Sequence, residues 1–184
     1  MSTVSQPFGL RPAFSPSGVV RPTAYSILTG YAANIFGNQP VKIGTNGTIE
    51  AAAIGDRFIG SFQGVEFTDA DGRRRVSNKW TTGTAATDIV AYVTLDPTIV
   101  YEIQANATLT VDDIGKQFDF TVITAGSTVV GLSQIMLDVA SATTNASLRV
   151  IGLSPGPDNN WGDNFPIVEV QVSEHQMVAD RAAF

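Results

Sequence analysis

The chain contains no cysteine. That excludes disulfides, thiolate-held zinc, iron–sulfur clusters and thiol catalysis. Charge is scarce as well: Asp, Glu, Lys and Arg make up 15% of the 184 residues, against ~25% in an ordinary globular domain. Thr, Ser, Ala, Asn and Gly fill the gap, which gives a weakly charged surface that is easily buried against a neighbour. No stretch approaches the ~18 consecutive apolar residues of a membrane span. The opening MSTVSQPFGLRP has no apolar run after a charged start, so it does not read as a signal peptide. The net charge of −6 lacks the strong basicity of nucleic-acid binding. Neither nucleic acid nor a membrane is an expected partner.

One absence is local. The first 49 residues hold no acid, and with Arg11, Arg21 and Lys42 they sum to +3, whereas everything from Glu50 onward sums to −9. Such a split suggests two parts that meet different surroundings. Residues 1–38 read as an extended N-terminal arm. Pro7, Pro12, Pro16 and Pro22 rule out a continuous helix. Yet Phe8, Leu10, Phe14, Tyr25, Ile27, Ile35 and Phe36 are too many large apolar groups for a solvated tail. Such a segment gains by lying in a groove, on its own body or on another subunit. Phe8, Leu10, Arg11, Phe14 and Arg21 are the expected partner-contact residues, because aromatic and arginine anchors dominate interface energy.

Residues 39–184 read as a β body. Pro40–Ile43 and Thr48–Ala51 flank the tight-turn pair Asn46-Gly47. Phe58–Thr68 and Arg74–Trp80 flank Asp69-Ala-Asp-Gly72, and Ile89–Leu95 and Ile99–Gln104 flank Asp96-Pro97. The second of that last pair alternates apolar and polar residues with the period of a half-buried strand. Lys116–Ile123, Ser133–Val139, Leu148–Leu153 and Pro166–Met177 bring the total to roughly ten short strands, the pattern of an antiparallel barrel or sandwich. One helical turn is expected at Thr110–Gly115. Ile54-Gly-Asp-Arg-Phe58 and Ile114-Gly-Lys-Gln-Phe118 read as one local corner used twice.

Catalytic signatures are thin. His175 is the one histidine; on a regular final strand it falls on the polar face, as a solvated or interface residue. There is no Gly-x-Ser-x-Gly elbow and no phosphate-cradling glycine loop. Asp69-x-Asp71-Gly72 begins like a calcium loop, but Arg73 stands at the third ligand position and Trp80 where a bidentate Glu belongs. It reads as a hairpin tip, and Arg73-Arg74-Arg75 beside it as a solvated or subunit-contacting tip. Asp112-Asp113 suits a helix start better than acid–base work. Trp80 and Trp161 are too few for a glycan-binding platform. No catalytic residue, metal or cofactor is expected, and the chain is not expected to be an enzyme.

Several blocks carry a resemblance. Pro7-Phe8-Gly9-Leu10-Arg11-Pro12 with Ser17-Gly18 resembles the opening of the head decoration or cement proteins of tailed bacteriophages. IGDRFIGSFQGVEF (54–67), DPTIVYEIQA (96–105), DDIGKQFDF (112–120), ASLRVIGL (146–153) and VEVQVSEHQM (168–177) follow in the same order as in that family. The resemblance implies a non-enzymatic virion protein on the capsid exterior. It would bind the major capsid protein and bridge neighbouring capsomers, often as a homotrimer, without a cofactor. Two rivals stand beside it: a head–tail connector or tail structural protein of the same virion, and an exposed receptor- or glycan-binding module.

Overall fold

A computed structural model of the chain describes residues 2–121, 126–143 and 145–180. The tight turns foreseen from sequence fold the body into hairpins. β3 (Pro40–Ile43) and β4 (Ile49–Ala51) meet across Asn46-Gly47, and β5 (Gly60–Asp69) and β6 (Arg74–Ser77) across Asp69–Gly72. β7 (Ala86–Thr94) leads through Asp96-Pro97 into β8 (Val100–Gln104). Then come β9 (Gln117–Phe120), β10 (Leu137–Thr143), β11 (Leu148–Leu153) and β12 (Ile167–Val172). The helical turn is a 3-10 turn at Val111–Asp113; the Asp113 carboxylate accepts the Thr110 amide at 2.8 Å. The β9 expected to Ile123 ends its described course at Phe120, and residues 122–123 lie outside the described set.

The N-terminal segment departs from expectation. Among the described residues no extended arm is seen; the segment supplies β1 (Arg11–Phe14) and β2 (Pro22–Tyr25). Two six-stranded antiparallel sheets result, ordered β1-β8-β12-β11-β9-β10 and β2-β7-β5-β3-β4, with β6 on β5. β1 and β2 each begin a sheet at its edge, where Pro12 and Pro22 are tolerated because an edge strand has amides the ladder does not need. The large apolar groups then go inward: Leu10, Ile27, Ile35 and Phe36 are buried. Ser2 and Gln6 are tied down as well, the Ser2 amide donating to Asp163 at 2.9 Å and the Gln6 amide to the Gln104 side chain at 2.8 Å.

Each sheet curls over a core of its own. In the first, β10 returns to the chain just past β8, where the Asn106 amide donates to the Leu137 carbonyl at 3.0 Å. In the second, the Ile49 amide at the start of β4 donates to the Ser26 carbonyl, just past β2, at 2.8 Å. The first core gathers Leu10, Phe58, Tyr101, Phe118, Phe120 and the valines of β11 and β12, with Phe58 edge-on to Phe120. The second gathers Ile35, Val41, Phe62, Val93 and Trp80, the last packed edge-on to Phe67. The repeated Ile-Gly corner does the same job twice: Gly55 and Gly115 take φ of +78° and +90°, and each delivers a phenylalanine, Phe58 or Phe118, into the first core.

The two sheets join where β5 begins. Gly60 sits at φ +150°, and a Cβ there would lie 1.6 Å from the Thr94 carbonyl oxygen. Beside it the Tyr101 hydroxyl meets Thr94 Oγ1 at 2.9 Å, and burial pushes the Tyr101 hydroxyl's pKa upward. Only glycine permits this approach of β5 to β7, with the Tyr101 hydroxyl of the other sheet closing over it.

Candidate functional site

The C-terminal segment corrects the sequence reading of His175. β12 ends at Val172, and the Ser173 amide donates to the Ser147 carbonyl. The chain then crosses to the second sheet. The Phe58 amide donates to the Glu174 carbonyl, the Gln176 amide to the Phe58 carbonyl, and the Gln176 side chain clasps both backbone groups of Ile43. His175 is therefore buried, at 1% exposure, not solvated on a polar face. Its Nε2 lies 2.9 Å from the Ile59 carbonyl and 3.1 Å from that of Leu95, while Nδ1 accepts the Met177 amide at 3.1 Å. Two carbonyls can only accept and an amide can only donate, so this bonding is met with a ring hydrogen on Nε2 and with Nδ1 as acceptor. It ties the end of the chain to Ile59, just before β5, and Leu95, just after β7, at the junction.

The five expected contact residues divide. Leu10 is fully buried in the first core and reaches no partner surface, a correction that follows from β1 lying in the sheet. Phe8 is half-buried, with the Arg11 guanidinium 4.5 Å above its ring. Arg11 also donates through Nε to Glu102 at 3.0 Å, on the strand it pairs with. Burial opposes ionisation of Glu102, but the Ser154 hydroxyl at 2.6 Å and the Arg11 guanidinium outweigh it and hold the carboxyl below its usual range. Across from it, burial and then the Glu102 charge keep Glu169 above the usual range.

Phe14 and Arg21 face outward. Phe14 is 47% exposed at the end of β1. The connector 15–21 then lies over the turn between β7 and β8, where the Ser15 hydroxyl meets Asp96 at 3.2 Å. Hydrogen bonds from Thr98 and Ser15 hold the Asp96 carboxyl low against the cost of its burial. Arg21 borders a shallow groove with Leu95, Pro97, Met177 and Val178 and forms no ion pair among the described residues. Val19 stands exposed in the same connector. Arg21, Met177 and Val178 thus border one groove at this turn, with Phe14 and Val19 exposed before and within the connector that crosses it. The C-terminal contribution was invisible in the sequence, because nothing there signals that residues 173–180 leave their sheet.

The remaining sequence candidates resolve locally. Asp69 accepts the Ala70 amide and the Arg75 Nε, both at 2.7 Å, as a hairpin tip does. Among the described residues no group of three His, Cys, Asp or Glu side chains could hold a metal ion. Trp80 is buried and Trp161 packs partly against the first core, so they form no paired exposed platform.

Compared with protein-family models, curated proteins and solved structures, the chain matches none.

Proposed function

We propose that the chain is a non-enzymatic virion structural protein, a decoration or cement protein that binds the outer surface of a phage head. Its partners in this reading are the major capsid protein and copies of itself, with a homotrimer favoured. The observation that carries the reading is the fate of the segment resembling the family's opening block. It supplies an edge strand to each sheet and turns Phe14, Val19 and Arg21 outward around the β7–β8 turn. An apolar surface with an unpaired cation fits docking on a protein. The mechanism is passive: burial of that surface raises the cost of separating capsomers, and weak single contacts add through multivalency. The acidic remainder of the chain keeps it away from DNA.

The test is saturation of purified expanded shells. The parent chain should bind at many copies per shell, and the double variant Phe14→Ala, Arg21→Glu should lose most of that binding while melting near the parent. Unchanged binding by the double variant removes the surface from the account. A copy number equal to one small ring per particle replaces the reading with a head–tail connector.

A further inference from the structure

Away from that surface, the most exposed apolar side chains of the described residues are Val129 and Val76, at 91% and 81%. They lie close together. The Asn78 side chain donates to the Val130 carbonyl at 2.9 Å, and the Lys79 ammonium to the Thr128 carbonyl. These bonds clamp the 127–131 turn onto the end of β6. Val130, 59% exposed, belongs to the same patch. The patch is cationic in an acidic protein: Arg73, Arg74, Arg75 and Lys79 fall within seven residues without an acid between them. Arg74 and Arg75 pair with Glu66 and Asp69, but Arg73 and Lys79 form no ion pair among the described residues. The three-arginine tip noted in the sequence thus sets cations beside uncovered valines: Arg73, which reaches Asp69 only through space, and Lys79, whose ammonium rests on the Thr128 carbonyl.

A patch of opposite sign precedes β9. Val111 and Ile114 are 59% and 45% exposed, and they flank Asp112. Asp113 is spent on Lys116 at 2.8 Å and on capping Thr110, whereas Asp112 forms no ion pair among the described residues. The chain leaves this patch at the start of β9 and reaches the 127–131 turn only beyond its other end. Among the described residues no hydrogen bond or ion pair links the two patches within one copy.

We propose that these two patches are the two halves of a head-to-tail contact between copies of this chain. The Val76–Val129–Val130 patch, with Arg73 and Lys79, docks on Val111, Asp112 and Ile114 of a second copy. Apolar groups meet apolar groups, and the cationic tip meets the Asp112 carboxylate. Different surfaces are used on the two copies, so the contact is heterologous and either closes into a ring or propagates. The proposal rests on the homo-oligomer part of the proposed function and names its surfaces. Shell binding uses other residues and is read in a separate assay.

The experiment is sedimentation velocity on the full chain and two surface variants, with shell binding measured in parallel. Val76→Ser with Val129→Ser blunts the cationic half, and Val111→Ser with Ile114→Ser blunts the acidic half. The parent should associate, less so at high salt, since the charged rim is screened. Each variant alone should self-associate about tenfold more weakly or less. An equimolar mixture of the two should form a 1:1 pair and nothing larger, because only one intact half remains on each copy. A parent that stays monomeric, a variant that assembles like the parent, or a mixture without the pair overturns the proposal. Loss of shell binding by the valine variant with a monomeric parent assigns the patch to the shell and also overturns it. The two readings fail separately, because shell docking is tested by the Phe14→Ala, Arg21→Glu variant and self-association by these four valine and isoleucine substitutions.

Discussion

Leu10→Ala asks whether the N-terminal segment is part of the folded core or an appendage. Leu10 has no exposed surface and packs among Phe58, Tyr101 and Phe120. The surrounding backbone is pinned: the Leu10 amide donates to the Asn38 carbonyl at 2.7 Å, and β1 is laddered to β8. A Cβ on the preceding Gly9 would lie 2.5 Å from that same carbonyl oxygen. A site held this firmly does not collapse around a missing side chain, so the cost lies within the ~2–5 kcal/mol range for buried leucine truncation, about 3 kcal/mol. At ~2–4 °C per kcal/mol for a chain of this size, the midpoint should fall by roughly 6–12 °C. Scanning calorimetry on parent, Leu10→Ala and Val19→Ala measures it. Val19 stands exposed in the connector and should cost no more than ~0.5 kcal/mol. A Leu10→Ala midpoint within about 2 °C of the parent would mean that the segment is an appendage after all.

Three further outcomes follow from the same geometry. Gly60→Ala should cost about 4 kcal/mol or more, since its Cβ meets the Thr94 carbonyl, whereas Gly55→Ala, with open space around it, should cost only the ~1–2 kcal/mol of left-handed backbone; chemical denaturation of both variants checks the contrast. His175→Ala strips two carbonyls and one amide of their partner and should cost about 2–3 kcal/mol, with hydrogen exchange accelerating at Met177 and Val178 before elsewhere. The carboxylates should respond to pH in opposite senses. Asp56 is held low: its burial raises the pKa, but Lys42 and the Ala53 amide prevail. It therefore adds stability above the ordinary carboxylate range that is lost on acidification, and Asp56→Asn should lower the melting temperature at pH 7 but not in acid. Glu169 is held high, so its ionised form burdens the fold, and Glu169→Gln should raise the melting temperature at pH 7, with the gain vanishing as pH falls below the carboxylate range.

The hairpins were legible because their signals are local. Asn46-Gly47, Asp69–Gly72 and Asp96-Pro97 each mark a turn by backbone preference alone, and each stands between strands in the structure. The capped turn at Thr110 and the repeated Ile-Gly corner are local in the same way. β10 was misjudged, expected over 133–139 and found at Leu137–Thr143. Ser133 is instead taken up by a distant partner, its amide donating to the Gly37 carbonyl. His175 was misread for a related reason: period-two alternation assumes a strand that continues, and this one stops where the chain crosses to the other sheet.

The amino-acid sequence by itself determined the β character of the chain, its turn positions and the exclusion of cysteine chemistry, because these depend on residue type and near neighbours. Its charge split and apolar N-terminal groups marked out a segment with unusual surroundings but could not say which surroundings. Tertiary structure decided that. Prolines and leucines are equally compatible with an arm lying on a neighbour and with an edge strand on the chain's own sheet, and only the pairing of β1 with β8 and β2 with β7 distinguishes them. That pairing buries Leu10 and leaves Phe14 and Arg21 outside, and the crossing of the C-terminal segment onto Phe58, Ile59 and Leu95 buries His175. Burial is a property of what lies across the sheet, and residues about ninety positions apart in the chain meet there only once the fold has formed.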